Sequence, residues 1–386
     1  MPSRVRSYSK INLGLAIGPP RPDGFHSLAT LYQTVALHDT LIVSARRAST
    51  TQITLRSSDP RVPTDERNTI WKMVEKVLTR LSLSAHIEVD LRKSLPMRGG
   101  MGAGSANAAA AMFGLERELG VKLDPATRLA IAAEVGSDVP LFLVGGSVLG
   151  ADRGQIVVPV ADVTLGGSSQ IPCVIALPGI GVSTPLAFRE WDRRYNKIDA
   201  DCNSGLHAPP ICDTLKQLGR TYASAFPEGR ASRQSGTSGI FPDPRSQASV
   251  SFDLENSPEN LHGLSREQHH NRLETEGTSG SEIDLAENSL LALIRSGIEN
   301  DFETVVFPQY SSLREIKRHL RGSSENVAGG SAVYAALSGS GSALFGLYRT
   351  HADANAAQQR LQQHGVKAIV TSTLPRPLYW SNMFAE

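Results

Sequence analysis

Leu95-Pro96-Met97-Arg98-Gly99-Gly100-Met101-Gly102-Ala103-Gly104-Ser105-Ala106-Asn107 runs directly into four alanines. Four glycines in six residues free the backbone for positive φ and for close approach to a ligand. The alanine run predicts a helix over about residues 106–119, closed by Gly120. Its unpaired first-turn N–H groups and the positive end of its dipole face the glycine loop, which together make a seat for polyphosphate. Ser105 adds a hydroxyl for a phosphate or for its magnesium ion. The plainer alternative is a flexible turn leading into a helix that packs closely through small side chains.

Working outward, the first half of the chain reads as mixed α and β structure. Residues 7–17, 40–44, 51–55 and 85–91 alternate like strands. Asn68 stands as an N-cap before a helix over 69–78, and Asp124-Pro125 starts another that closes at Gly136. After Tyr195 the composition turns to Ser, Gly, Pro, Asn, Gln, Arg and Glu. Such a segment buries too little apolar surface to offset its ordering entropy, so a polar, disordered insertion is expected over 196–284. Within it, Ile211, Leu215, Leu218 and Tyr222 share one face of a short helix expected over 210–225. Regular structure resumes at Asn288 and ends in a strand over 368–371. The resulting division is a first lobe over 1–155, the start of a second over 156–195, the insertion, and the rest of the second lobe over 285–386.

Composition excludes several classes. The 386 residues carry 39 basic against 38 acidic side chains, a net charge of +1, so no dense basic surface calls for nucleic acid or an anionic membrane. No apolar run approaches the ~20 residues of a membrane span. The first ten residues lack the apolar stretch of a signal peptide, so a cytoplasmic location is expected. Three cysteines are too few for a disulfide framework and lack metal-ligand spacing. There is no Gly-Lys dipeptide for a P-loop, no H-E-x-x-H and no G-x-S-x-G. The adjacent His269 and His270 have no ligand partners at helical spacing and read as solvated loop. No metal-ligating set is expected.

Four further stretches carry groups suited to chemistry. In Tyr8-Ser9-Lys10-Ile11-Asn12-Leu13 the apolar residues fall at odd positions, so Lys10 and Asn12 share the other face of a strand. A lysine there is ordinarily exposed; lining a cleft, it would hold a nearby carboxylate ionised and place a hydroxyl acceptor. Gly136-Ser137-Asp138-Val139-Pro140 favours Asp138 as the N-cap of the next helix, a role compatible with that of a general base at a lobe junction. Arg21-Pro22-Asp23-Gly24-Phe25-His26 is a turn that presents a stacking face on Phe25 and directional hydrogen bonds on His26. The second glycine run, residues 337–346, is a hairpin or bulge signal whose interest lies in pairing with the first run across a cleft.

In this order the segments resemble the GHMP small-molecule kinases. Residues 9–13, 21–28, 96–107, 136–143 and 337–346 carry the likeness, with Pro178-Gly179-Ile180-Gly181-Val182-Ser183-Thr184-Pro185 and Asn300-Asp301-Phe302-Glu303 in support. The likeness implies an α+β, two-lobed fold, with an N-terminal lobe like domain 2 of ribosomal protein S5 and a ferredoxin-like C-terminal lobe. It implies ATP and Mg2+, with residues 96–106 cradling the phosphates, Asp138 as base and Lys10 orienting it. Lys10 with the His26 turn points to members whose substrate is a cytidine diphosphate methylerythritol, phosphorylated on its 2-hydroxyl. There Phe25 and His26 would hold the cytosine, and Asn12 and Thr184 would line the polar part of the site. A mevalonate, homoserine or sugar acceptor remains an alternative, as does a nucleotide-binding regulator without catalysis. The expected partners are small molecules only, with the protein a monomer or weak homodimer.

Overall fold

In the computed structural model the described residues are 1–97, 99–202, 288–322 and 330–385. Arg98, the helix expected over 210–225, and His269 and His270 lie outside them. The first lobe opens with two long antiparallel strands, β1 (Ser3–Pro20) and β2 (His26–Arg47). They are joined through the 21–25 turn, where Arg21 donates its N–H to Phe25 O (2.7 Å). Next come β3 (Gln52–Ser57), α1 (Thr69–Leu81), β4 (Ala85–Arg92), α2 (Ala103–Leu119) and α3 (Pro125–Val135). A single 3-10 turn, Pro140–Leu143, leads to β5 (Ser147–Asp152) and β6 (Ile156–Pro159).

The second lobe holds β7 (Pro172–Leu177), α4 (Thr184–Cys202), α5 (Ser289–Arg295), α6 (Glu303–Gln309) and α7 (Ser311–Arg321). It continues through β8 (Tyr334–Leu337), β9 (Leu344–Leu347), α8 (His351–Gln363) and β10 (Lys367–Ser372). The chain then passes through α9 (Arg376–Ser381) to β11 (Phe384–Ala385). The first sheet runs β11-β1-β2-β4-β3, with β5 beside β2 and β6 beside β5; the second runs β10-β7-β9-β8.

Local chemistry sets the helix ends. Asn68 accepts the Ile70 N–H (2.9 Å) at the head of α1, and Asp124 accepts that of Thr127 (2.9 Å) at the head of α3. Gly120 closes α2 at φ +62. The α2 helix starts at Ala103, a turn earlier than its alanine run suggests, and is buried on nearly every side. Its small residues permit that: a Cβ on Gly114 would fall 2.7 Å from Val43 Cγ2 of the sheet.

Three boundaries differ from the sequence expectation. β6 pairs with β5 in the first sheet, so that sheet runs past residue 155. α4 continues to Cys202, seven residues into the range expected as insertion. Residues 374–385 return to the first lobe, where Leu374, Tyr379 and Met383 join its core and β11 pairs with β1. The return has a mechanical effect. The Tyr379 hydroxyl donates to Phe142 O (2.6 Å) and Trp380 Nε1 to Val144 O (3.0 Å), which clamps the 3-10 turn that follows Asp138.

β1 also ties the lobes together. Tyr8 packs in the first core, while Leu15 and Ile17 pack in a second-lobe core. Leu15 exchanges backbone bonds with Glu299 and Asp301 (2.9 Å each). The Asp301 carboxylate accepts the Ile17 N–H (2.8 Å). Burial pushes that carboxyl up to about 6; the Ile17 N–H opposes the rise and Glu299 adds to it. The folded state therefore binds this proton more tightly than the unfolded chain does. Stability contributed here is present at acid pH and lost as pH rises from about 4 through 6. The loss amounts to up to ~3 kcal/mol. Asp301→Asn keeps an acceptor for Ile17 and removes the charge. We expect its melting temperature to exceed that of the parent by a few degrees at pH 8 and by nothing at pH 4. Equal melting temperatures at pH 8 would refute the assignment.

Candidate active site

Lys10 and Asn12 do share one face of β1, but the face is covered. Lys10 is 2% exposed and Asn12 1%, which rules out the ordinary solvent-facing lysine. The glycine loop supplies the cover: Lys10 N donates to Met101 O (3.1 Å), and a Cβ on Gly102 would lie 3.3 Å from Lys10 Cε and 2.9 Å from Phe142 Cζ. Lys10 Nζ donates to Asn12 Oδ1 (2.7 Å), and Asn12 Nδ2 to Thr30 Oγ1 (2.8 Å).

Asp138 completes this cluster, with Oδ2 3.4 Å from Lys10 Nζ. Its Oδ1 accepts the Tyr32 hydroxyl (3.0 Å). The N-cap role favoured by the local pattern is not adopted. Val139 is the N-cap of the 3-10 turn, with no side-chain cap, and the Asp138 carboxylate turns to β1 and β2 instead. There it gains an ion pair with an ammonium ion and a hydrogen bond from a phenol in place of one backbone N–H.

The glycine loop leads straight into the head of α2. Gly102 is the N-cap of α2 at φ +68 and no side chain caps the helix, so its first-turn N–H groups and dipole are open toward the loop. Pro96, Met97, Gly99, Gly100 and Met101 form the approach, and Ala103, Gly104, Ser105 and Ala106 the first helical turn. Ala106 is 3% exposed and packs inward; Gly104 lies exposed at the surface.

The second glycine run lies in contact with the first, not across a gap from it. Ser338 Oγ donates to Gly100 O (3.0 Å) and Ala343 N to Gly99 O (3.2 Å). Asn300 holds this run in place, its Nδ2 donating to Leu337 O (2.8 Å) and Gly339 O (2.9 Å). Glu303 Oε1 accepts the Leu337 N–H (2.8 Å). Thr184, at the head of α4, shares a 2.7 Å hydrogen bond with Ser340.

Phe25 and His26 form a separate group of contacts. Phe25 is 50% exposed, with the Arg153 guanidinium 4.8 Å from its ring centroid. His26 is buried, its ring stacked on Phe188 (centroids 4.8 Å apart) and its Nε2 2.6 Å from Asp192 Oδ1. Both partners come from α4 one turn apart, so the second lobe positions this histidine.

Sequence reasoning missed Phe188, Asp192, Tyr32 and, above all, Asp39. Asp39 has no exposed surface, yet it carries four donors. Oδ1 accepts the N–H groups of Ser94 (2.7 Å) and Leu95 (2.8 Å); Oδ2 accepts Lys93 Nζ (2.5 Å) and Asn107 Nδ2 (3.1 Å). One carboxylate thus ties together the two ends of the glycine loop. An acid inside a strand gives no periodic signal of its own, and these partners exist only once α2 lies on β2. Among the described residues, no group of three or more His, Cys, Asp or Glu side chains is placed to hold a metal. No helix among them is long and apolar enough to cross a membrane.

Comparison with known proteins bears on the same elements. Residues 68–146, which include α2 and Asp138, match the GHMP kinases N terminal domain, and residues 283–367 match the GHMP kinases C terminal. A 4-diphosphocytidyl-2-C-methyl-D-erythritol kinase of Rhodococcus jostii is 40% identical over 193 residues, covering 50% of this chain and 60% of that protein. One of the same name from Nocardia farcinica is 38% identical over 192 residues, covering 50% and 61%. The chain thus spans about three fifths of the length of these relatives.

Among solved structures, a 4-(cytidine 5'-diphospho)-2C-methyl-D-erythritol kinase superposes with a TM-score of 0.58 at 22% identity, covering 96% of this chain and 98% of that one. A homoserine kinase from Cytophaga hutchinsonii gives 0.56 at 16% identity, covering 97% and 96%; likeness at this identity concerns the fold. The N-terminal and C-terminal domains of the GHMP kinases are thus both matched, in order, on this one chain.

Proposed function

We propose that the protein transfers the γ-phosphoryl group of ATP to the 2-hydroxyl of 4-diphosphocytidyl-2-C-methyl-D-erythritol. The observation that carries this reading is the cluster of buried Lys10 and Asn12 with the half-buried Asp138, directly beneath the open end of α2. A carboxylate, an ammonium ion and a helix head brought together this closely are what phosphoryl transfer to an alcohol needs. Such transfer passes through a loose transition state and depends mainly on alignment and charge stabilisation.

In this reading the loop over 96–106 binds the ATP phosphates through backbone N–H groups. Lys10 pairs with Asp138 and, with Asn12, orients the acceptor. As the acceptor oxygen bonds to the γ-phosphorus and the bond to the ADP oxygen breaks, the hydroxyl proton passes to Asp138. Phe25 and His26 hold the cytosine end, and Thr184 lies beside the linking diphosphate. Magnesium bound with ATP would supply counter-charge to its phosphates, and Ser105 in the first turn of α2 would help to hold it. The catalytic lobe is the first, and the second carries the contacts to His26 and Thr184.

The test compares acceptors at one ATP concentration by ADP release. The cytidylylated substrate is expected to exceed mevalonate, homoserine and galactose in kcat/KM by at least ~100-fold, because a site built on specific polar contacts rejects substrates that lack their partners. A higher value for any of the three overturns the substrate assignment. Stoichiometric ATP binding with no product from any acceptor overturns the kinase reading.

A further inference from the structure

The Lys10–Asp138 couple has a third member on β2. Tyr32 pairs directly across from Asn12 in the β1–β2 ladder, so its side chain leaves the sheet on the same face as Lys10 and Asn12. The residue is 2% exposed, and its hydroxyl donates to Asp138 Oδ1 at 3.0 Å. Lys10 Nζ stands 3.4 Å from the other oxygen, Oδ2, and 5.4 Å from the Tyr32 ring centroid.

The turn between β5 and β6 closes the other side. A Cβ on Gly154 would fall 2.6 Å from the Tyr32 hydroxyl, so only glycine leaves the phenol room to keep this position. Burial, and then the Asp138 charge and hydrogen bond, push the Tyr32 phenol well above its ordinary value. It stays protonated and remains a donor.

The two carboxylate oxygens are therefore not equivalent. Oδ1 is committed to a phenol proton that does not leave, whereas Oδ2 faces the ammonium ion. We propose that Tyr32 is a positioning residue that fixes the Asp138 carboxylate so that Oδ2, beside Lys10, is the oxygen that receives the acceptor's proton. This rests on the reading of Asp138 as the base. The acceptor O–H proton passes to Oδ2 while the new O–P bond forms and the bond from phosphorus to the ADP oxygen breaks. Tyr32 keeps its own proton throughout. The proton on Oδ2 then leaves to water past the 33% of the Asp138 side chain that is exposed.

Among the described residues Lys10, from β1, is the ion-pair partner of this carboxylate. Asp152 is paired with Arg21 and Arg153 lies over Phe25. Phe142 and Gly102, which close the site beside Lys10, carry no charge.

The experiment uses the full chain with ATP and 4-diphosphocytidyl-2-C-methyl-D-erythritol. Tyr32→Phe removes only the donor. Its kcat is expected to fall roughly 10-fold, with KM for both substrates within about two-fold, as for an interaction that matters during transfer. Unchanged kcat, or a rise in KM alone, overturns the proposal.

3-Fluorotyrosine placed at position 32 keeps the ring and strengthens the donor. Its kcat is expected to stay within about two-fold of the parent, and a fall as large as that of Tyr32→Phe counts against the idea even if Tyr32→Phe folds poorly. Asp138→Asn separates the two claims. If it retains near-parental turnover, the base reading fails and takes this one with it. If it is inactive while Tyr32→Phe matches the parent, Tyr32 alone has been misread.

Discussion

Asp138→Asn and Lys10→Met are each expected to lower kcat by about 10²–10⁴-fold while the protein remains folded. Both substitutions preserve side-chain volume, so the change falls on charge and proton acceptance. Asp138→Asn leaves an oxygen to accept the Tyr32 hydroxyl but cannot take up the acceptor's proton. Lys10→Met removes the ammonium ion from between Asn12 and Asp138 and leaves both without their shared donor. Because Lys10 is almost fully buried, its loss also relieves the cost of desolvating a charge, so the melting temperature should change less than the activity does. The check is single-turnover and steady-state kinetics beside a thermal melt. Turnover within ten-fold of the parent in both variants would remove these residues from the chemistry.

The second large effect is expected from one methyl group. Gly100→Ala places a Cβ 2.0 Å from Ser338 O, at a residue whose φ is +73. Neither atom belongs to a flexible side-chain end, so the two glycine runs must separate. The Ser338–Gly100 and Ala343–Gly99 hydrogen bonds are expected to break with them. Strain of this kind costs about 1–3 kcal/mol before any lost contact is counted. We expect KM for ATP to rise at least ~10-fold and the melting temperature to fall. Gly120→Ala is the matched control. It has the same left-handed backbone, φ +62, but nothing within 4 Å of the new Cβ. It is expected to lose roughly 1 kcal/mol of stability and no ATP affinity. Equal effects on ATP affinity in the two variants would show that the contact between the glycine runs has no part in nucleotide binding.

These expectations separate two kinds of role that local pattern could not tell apart. Asp138 carried a competent cap motif, and only its neighbours decide between cap and base. Its partners Tyr32 and Lys10 are more than a hundred residues away in sequence. The return of residues 374–385 to the first lobe is of the same kind. Tyr379 and Trp380 brace the 3-10 turn after Asp138 from the far end of the chain, so the geometry of the candidate base depends on residues that carry no motif.

What could be read from the sequence alone is what neighbouring residues settle among themselves. Asn68, Gly120 and Asp124-Pro125 place helix ends because a cap bond spans two to four positions. The glycine loop before an alanine run gives an open helix head by the same short-range logic. Alternation in residues 7–17 puts Lys10 and Asn12 on one face whatever that face meets. The stretch of β2 up to Asp39 stayed hidden, because Thr30, Gln33, Thr34 and Asp39 are all buried and break the alternation that marks a strand. Thr34 and Gln33 satisfy their polar groups on Leu374, and Asp39 does so on the loop and on α2. Burying a polar or charged group is tolerable only with its partners in place. The fold creates those partners, so it alone decided which polar residues lie inside, how Asp138 is held, and that the two glycine runs touch.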